Sequence, residues 1–224
     1  MNTSKKAGSA VAFLLKLLLV AVFITPFYVA IVYALKSPEE TMKTGLAFPK
    51  AIYWQNFTEA IEVSNFWVAA KNSLIITVVS VVILMVVCSM AAYIIARNMR
   101  SKFFQSFYYV FLAAMMLPFQ VVMLPLYVEL KDLGMLNTRI GMILTICGFQ
   151  LAYNVFVYVG FVRGIPIEME EAAYMDGAGR FYTFWKIVFP LMKPIVSSTL
   201  VLNSLAVWNE FQIPLIIAQK PEVR

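Results

Sequence analysis

Apolar residues run along this chain in long blocks, and polar residues gather in a few stretches between them. Residues 11–35 form one block of about 25 residues, roughly 38 Å as a helix, enough to span a bilayer with some tilt. Residues 1–10 are a short polar leader carrying Lys5 and Lys6, and the block reads as an uncleaved first helix. Pro26 predicts a kink whose freed carbonyl neighbouring helices can satisfy. Residues 36–66 are the first substantial polar segment. Pro38, Gly45 and Pro49 break it, and residues 54–61 predict a short amphipathic helix near a membrane surface. Further blocks at 68–96, 103–128, 140–162 and 195–218 predict four more spans. The block at 103–128 holds Pro118 and Pro125, which predict a broken or bent helix, either lining a path or kinked for packing. Residues 129–139 make a short loop with Gly134, and 219–224 a polar tail. The predicted fold class is an all-α integral membrane protein, a multi-span helical bundle with five spans.

The longest polar interruption in the second half, residues 163–194, breaks this rhythm. Pro166 predicts the first position of a short helix, where its missing N–H costs nothing. Asp176-Gly177 is a turn signal, and Gly177 can take the left-handed conformation that ends a helix. A second short helix is predicted over 178–188, ended by Pro190. Ala172 and Ala173 offer a small-residue surface that another protein can approach closely.

Composition excludes several function classes. The 224 residues are 62% hydrophobic and 13% charged, where a soluble domain carries about a quarter charged residues. The net charge of +6 reads as inner-face anchoring and not nucleic-acid binding, since no aromatic-basic patch accompanies it. There is no histidine, so imidazole catalysis and imidazole metal ligation are out. Cys88 and Cys147 lie inside apolar blocks and read as reduced packing residues; no metal set is expected. An enzyme would need paired intramembrane acids or an activated nucleophile, and neither is evident. No GxxxxGK phosphate loop occurs, so the chain is expected to have no ATPase site of its own and no bound cofactor.

A few polar side chains sit inside the apolar blocks. Gln150 and Asn154, four apart, share one helix face; they line a solute path or bond between helices. Glu210 is the only acid deep in a span, flanked by Trp208 and Asn209. It is either a solute or gate residue, or a carboxylate near the outer mouth that water, Asn209 or Gln212 satisfies. Arg97, Arg100 and Lys102 crowd one short connector and mark it as inner, which puts the amino terminus and residues 163–194 in the cytoplasm.

Glu171-Ala172-Ala173, then Gly177, Ile187 and Pro190 at their spacing, resemble the EAA loop of ABC-importer permeases, with Phe189 where that family has Leu. The likeness extends through Asn72-Ser73-Leu74, Ala92-Tyr93, Arg97, Leu117-Pro118, Pro125-Leu126-Tyr127, Leu133-Gly134, Lys193-Pro194 and Trp208-Asn209-Glu210-Phe211. It is most similar to the carbohydrate branch, in particular the second permease of maltose-type sugar importers. The resemblance implies a type I importer permease that moves a sugar or sugar-like solute; the alternatives are a permease for another solute such as a phosphorylated polyol, polyamine or amino acid, or a non-transport membrane assembly protein. It implies an ATP-binding subunit that uses the ATP, a second related permease, an extracytoplasmic solute-binding protein and a bacterial inner membrane. The coupling residues would be Glu171, Ala172, Ala173, Asp176, Gly177, Ile187 and Pro190. A first helix with an external segment, 1–67, would precede a permease domain, 68–224. The family continues through one more helix, so a sixth span is expected and is missing from this sequence.

Overall fold

The computed structural model describes residues 2–220, with side chains from residue 12 onward; the leader lysines Lys5 and Lys6 and the tail from 221 lie outside the described side chains. Every regular element among the described residues is helical. The chain divides into two compact units, one ending at Phe66 and one beginning at Trp67.

In the first unit, α1 (Asn2–Ala34) is one continuous helix that includes Pro26 and absorbs the predicted polar leader. From residue 12 to residue 27 its side chains are exposed, Phe23 by 71% and Phe27 by 70%. Such a surface is stable only where the solvent is lipid. Pro38 does not break the next segment: it opens α2 (Pro38–Thr44), because a first-turn proline gives up an N–H that has no partner anyway. Ser37 caps that helix, and Gly45 ends it at φ +51°. Lys36, between α1 and α2, is 1% exposed. Its ammonium donates to Thr44 Oγ1 at 2.9 Å and to the Gly45 carbonyl at 2.6 Å. The predicted amphipathic helix is α3 (Gln55–Val63). The Asn56 amide ties it back by donating to the carbonyls of Ala34 and Lys36.

The second unit is built around one helix. α4 (Phe66–Arg97) and α7 (Arg139–Val162) are long enough and apolar enough to cross a bilayer, as are Ala12–Ala34 and the segment Lys193–Ile217. α7 sits at the centre and is bonded on both sides. Toward α4, Arg139 Nε donates to Asn72 Oδ1 at 2.9 Å, and the thiols of Cys147 and Cys88 reach the carbonyls of Ser80 and Leu151. Toward α11 (Lys193–Trp208), Asn154 and Asn203 exchange amide hydrogen bonds at 2.8 and 3.3 Å, and the Tyr158 and Thr199 hydroxyls lie 2.6 Å apart. Leu84, Cys88, Ala92, Val155, Val159, Val162, Val188 and Met192 fill the space between, each at most 1% exposed. Interhelical polar pairs of this kind hold helices together where lipid removes the hydrophobic drive.

Two predicted spans are not single helices. The third is broken outright into α5 (Lys102–Ala114) and α6 (Phe119–Asp132), bent by 104°. Pro118 takes the cap position of α6, and α6 absorbs residues 129–132, which the sequence pattern assigns to a loop. The fifth starts at Lys193 and stops at Trp208; a separate α12 (Gln212–Ile217) begins after three residues. The end of α12 is closed by Asn137, in the left-handed region at φ +57°. Its N–H donates to the Ile217 carbonyl, and its side-chain oxygen accepts from the backbone N–H of Gln219 and Lys220.

Candidate functional site

The polar loop after α7 folds into α8 (Glu168–Met175), then α9 (Arg180–Thr183), a π-helical turn (Phe184–Val188) and α10 (Phe189–Leu191). Pro166 lies two residues before α8 and not at its first position. Glu168, Glu170 and Glu171 fill the first turn, where carboxylates complement the helix dipole. Asp176 closes the last turn and Gly177 comes next at φ +82°. The Ala178 N–H reaches back to the Ala173 carbonyl at 2.9 Å and the Gly177 N–H to Tyr174 at 3.0 Å. This paired closure satisfies the last carbonyls and requires the left-handed residue that only glycine adopts without strain.

Pro190 does not end the second helix. The helical path runs on to Leu191 by changing pitch: the Phe189 N–H bonds the Phe184 carbonyl, five residues back. That wider turn accommodates a proline that has no N–H to give.

The most buried acid of the loop is Glu170, 2% exposed, a residue that sequence reasoning passed over. Arg97, at the end of α4, donates to Glu170 Oε1 through Nε at 2.8 Å and Nη2 at 2.7 Å. The Tyr93 hydroxyl donates to Glu170 Oε2 at 2.7 Å and lies 3.2 Å from the Tyr174 hydroxyl. Arg97 Nη2 also donates to the Ile165 carbonyl at 2.9 Å, just before α8 begins. Arg97–Glu170 is the one ion pair among the described residues. The available signal was the four-residue spacing of Tyr93 and Arg97, which puts both on one face at the end of a span. Hydropathy and charge counting instead rank Arg97 as one of several surface cations.

With Glu170 turned in, the neighbouring positions turn out. Glu171 and Ala172 are exposed, whereas Ala173 is 8% exposed and lies at the floor of the recess that Ala172 also lines. Glu171 and Asp176 make no side-chain bond among the described residues. Ala172, Gly177 and Ile187 line a concavity of about 700 Å³ beside α8, together with Met169 and Lys186. Ala172, Ile187 and Pro190 line a second of about 660 Å³ on the same side. Residues spaced over twenty positions of sequence thus share one recessed surface. A third cavity, about 700 Å³, opens between Tyr93, Arg97, Phe104, Glu170, Glu171, Arg180 and Phe184.

The polar residues of the spans fall elsewhere. Asn154 is fully buried in its pair with Asn203 and is helix glue. Gln150 is half-buried and lends its backbone carbonyl to Asn154. Glu210 sits in the break between α11 and α12, half-buried. Its Oε1 accepts from the backbone N–H of Gln212 at 2.9 Å and Ile213 at 3.2 Å, which caps α12. Asn209 donates to the Leu205 carbonyl, and Trp208 is 51% exposed. The two breaks meet: Gln120 at the start of α6 donates to Gln212 at the start of α12 across 3.5 Å. Among the described residues no group of His, Cys, Asp and Glu could hold a metal ion.

Known proteins are similar to this chain in sequence and in fold. The family model described as "binding-protein-dependent transport system inner membrane component" matches residues 89–224. The chain is 36% identical over 206 residues to the probable starch degradation products transport system permease protein AmyC of Thermoanaerobacterium thermosulfurigenes, covering 92% of this chain and 74% of that protein. It is 36% identical over 200 residues to the multiple sugar-binding transport system permease protein MsmG of Streptococcus mutans, covering 87% and 70%. It is 32% identical over 225 residues to the melibiose/raffinose/stachyose import permease protein MelC of Bacillus subtilis, covering 100% and 81%. In fold it is similar to a chain of a bacterial ABC transporter involved in the import of the acidic polysaccharide alginate, with a TM-score of 0.85 at 22% identity, over 100% of this chain and 78% of that one.

Proposed function

The chain belongs to the family of binding-protein-dependent transport system inner membrane components, and from that premise we propose how it works as the membrane permease of a sugar importer. It spans the membrane and moves solute; the hydrolysis of ATP falls to a separate subunit that docks on α8. The observation that carries this reading is the division of α8 into two faces. Glu170 and Ala173 are buried, Glu171 and Ala172 are left exposed, and Ala172 lines a recess that Gly177, Ile187 and Pro190 help to form. A short helix with one anchored face and one open face is a docking element. Glu171 pairs with a cation of the ATPase, and the recess accepts its apolar side chains.

The amino terminus and α8 then face the cytoplasm, where ATP is. A solute-binding protein delivers the sugar on the opposite side, and a second, related permease completes the path. Gln120, Asn209 and Gln212 are exposed polar side chains in otherwise apolar spans. Amide groups are costly against lipid, so they face the path between the two permeases, with Trp208 at its rim and Glu210 holding the break in shape. Asn154 is satisfied within the bundle and does not contact solute. ATP-driven closure of the docked subunits displaces α8 and rocks the spans between outward-open and inward-open states.

Co-purification of the membrane subunit with its ATPase from the same cells tests the docking. The wild type captures a P-loop ATPase, and Glu171→Lys loses it. Equal capture by both would overturn the assignment of α8.

A further inference from the structure

We propose that the Arg97–Glu170 pair, seated by Tyr93, is the strut that carries displacement of α8 into α4. The proposal rests on the docking role of α8 given above and adds the element that the docked helix drives.

α8 is joined covalently to α7 through residues 163–167, and to α11 through α9, the π-helical turn and α10. It has no such link to α4, whose Arg97 lies 73 positions from Glu170 in sequence. Movement of α8 therefore reaches α4 through side chains. On this side a cavity of about 700 Å³ lined by Tyr93, Arg97, Phe104, Glu170, Tyr174 and Phe184 lies between α8, α4 and α5, and the Tyr93 ring meets Phe184 of the π-helical turn at 5.3 Å, not α8 itself. The ion pair and its hydroxyl partners bridge that gap.

The bonding pattern is directional. Two guanidinium N–H groups meet one carboxylate oxygen, and the Tyr93 hydroxyl meets the other. A guanidinium nitrogen also holds the Ile165 carbonyl at the approach to α8. Together these fix the distance between α4 and α8 and also the rotation of α8 about its axis, which leaves Glu171 exposed on the lining of the same cavity. A planar guanidinium in a fixed set of hydrogen bonds resists both sliding and rotation, whereas an apolar contact resists neither well. Arg97 and Glu170 are thus positioning residues, acting on the ATPase interface through Glu171 and on the solute path through α4.

The test uses the importer purified with its own ATPase in lipid nanodiscs, with spin labels at Lys71→Cys and Leu133→Cys, both exposed. The distance between the outer end of α4 and the end of α6 is compared with and without ATP and vanadate. In the otherwise native chain the distance distribution shifts on trapping. In Glu170→Gln, which keeps volume and hydrogen bonding but removes the charge, the ATPase is still captured and the shift is lost. A full shift in Glu170→Gln overturns the strut. Loss of ATPase capture in that variant also overturns it, since the pair would then shape the docking face and transmit nothing. Should Glu170→Gln fail to accumulate in the membrane, Arg97→Lys decides: it keeps the charge but not the fork, and an undiminished shift overturns the proposal. Glu171→Lys run in parallel separates the two readings, because normal capture by that variant defeats the docking of α8 whatever the strut does.

Discussion

Two of the interruptions in the helical run of the second unit are built on a glutamate. At the α8 loop, Glu170 is 2% exposed and bonded to a different helix. At the break between α11 and α12, Glu210 is half-buried and bonded to the backbone two and three residues ahead of it. Hydropathy suggests the reverse, since Glu210 lies in an apolar block and Glu170 in a polar loop. The difference is between local and non-local satisfaction. A carboxylate can be capped by its own helix N-terminus without any partner element, and then it reports only that the chain turns there. A carboxylate desolvated by a second helix is committed to a long-range contact, and its loss is felt at both ends.

The largest expected effect breaks the comparison at Glu170. Glu170→Ala strands Arg97, which is 15% exposed, and should cost about 3 kcal/mol of stability in thermal unfolding of the purified subunit. Replacing both partners with leucine should recover most of that loss while leaving ATPase coupling impaired, because a matched apolar pair restores burial and not direction. If the double variant were as damaged as the single one, the buried charge would be stabilising in its own right.

A smaller effect sharpens the contrast between the two turns themselves. The α8 turn needs Gly177 at φ +82°, while the residues of the other break all keep negative φ among those described. Gly177→Val should cost roughly 1–2 kcal/mol locally. It should abolish solute-stimulated ATPase activity while membrane insertion stays intact. Unchanged uptake would show that the turn tolerates the strain.

The smallest effect concerns Glu210. As a cap, Glu210→Ala should cost about 1 kcal/mol, and Glu210→Gln, which keeps an acceptor oxygen, less than about half of that. Labelled sugar uptake by the glutamine variant should match the wild type. A large loss of uptake at unchanged stability would show that the charge itself meets the solute or a gate.

Much of the fold was legible along the chain. Apolar runs longer than a bilayer is thick leave a helix no alternative, since lipid offers nothing to an unpaired backbone group. Pro118 announced a break, while Pro125 is carried inside α6, and Asp176-Gly177 announced a turn. The failures have a common cause. Pro38 and Pro190 read as stops, but a proline is harmless in a first helical turn or beside a π-turn, and the sequence does not say which surroundings it will meet. The split at residues 209–211 carries no glycine or proline, only a glutamate able to cap the next helix.

The candidate loop was legible as a motif but not as a surface. Glu171, Gly177, Ile187 and Pro190 stood out by spacing, yet which of Ala172 and Ala173 faces outward depends on how α8 is rotated. That rotation is set by Glu170 meeting Tyr93 and Arg97. The apolar blocks at 11–35, 68–96 and 140–162, the turn at Gly177 and the family likeness were all legible in the sequence, because bilayer thickness and backbone sterics act on neighbouring residues. Only the tertiary structure decided that Glu170 is buried, that Arg97 is its partner, that Asn154 pairs with Asn203 and that Gln120 meets Gln212. Each of these unites residues tens of positions apart, and no local rule of burial or charge links them until the helices are packed.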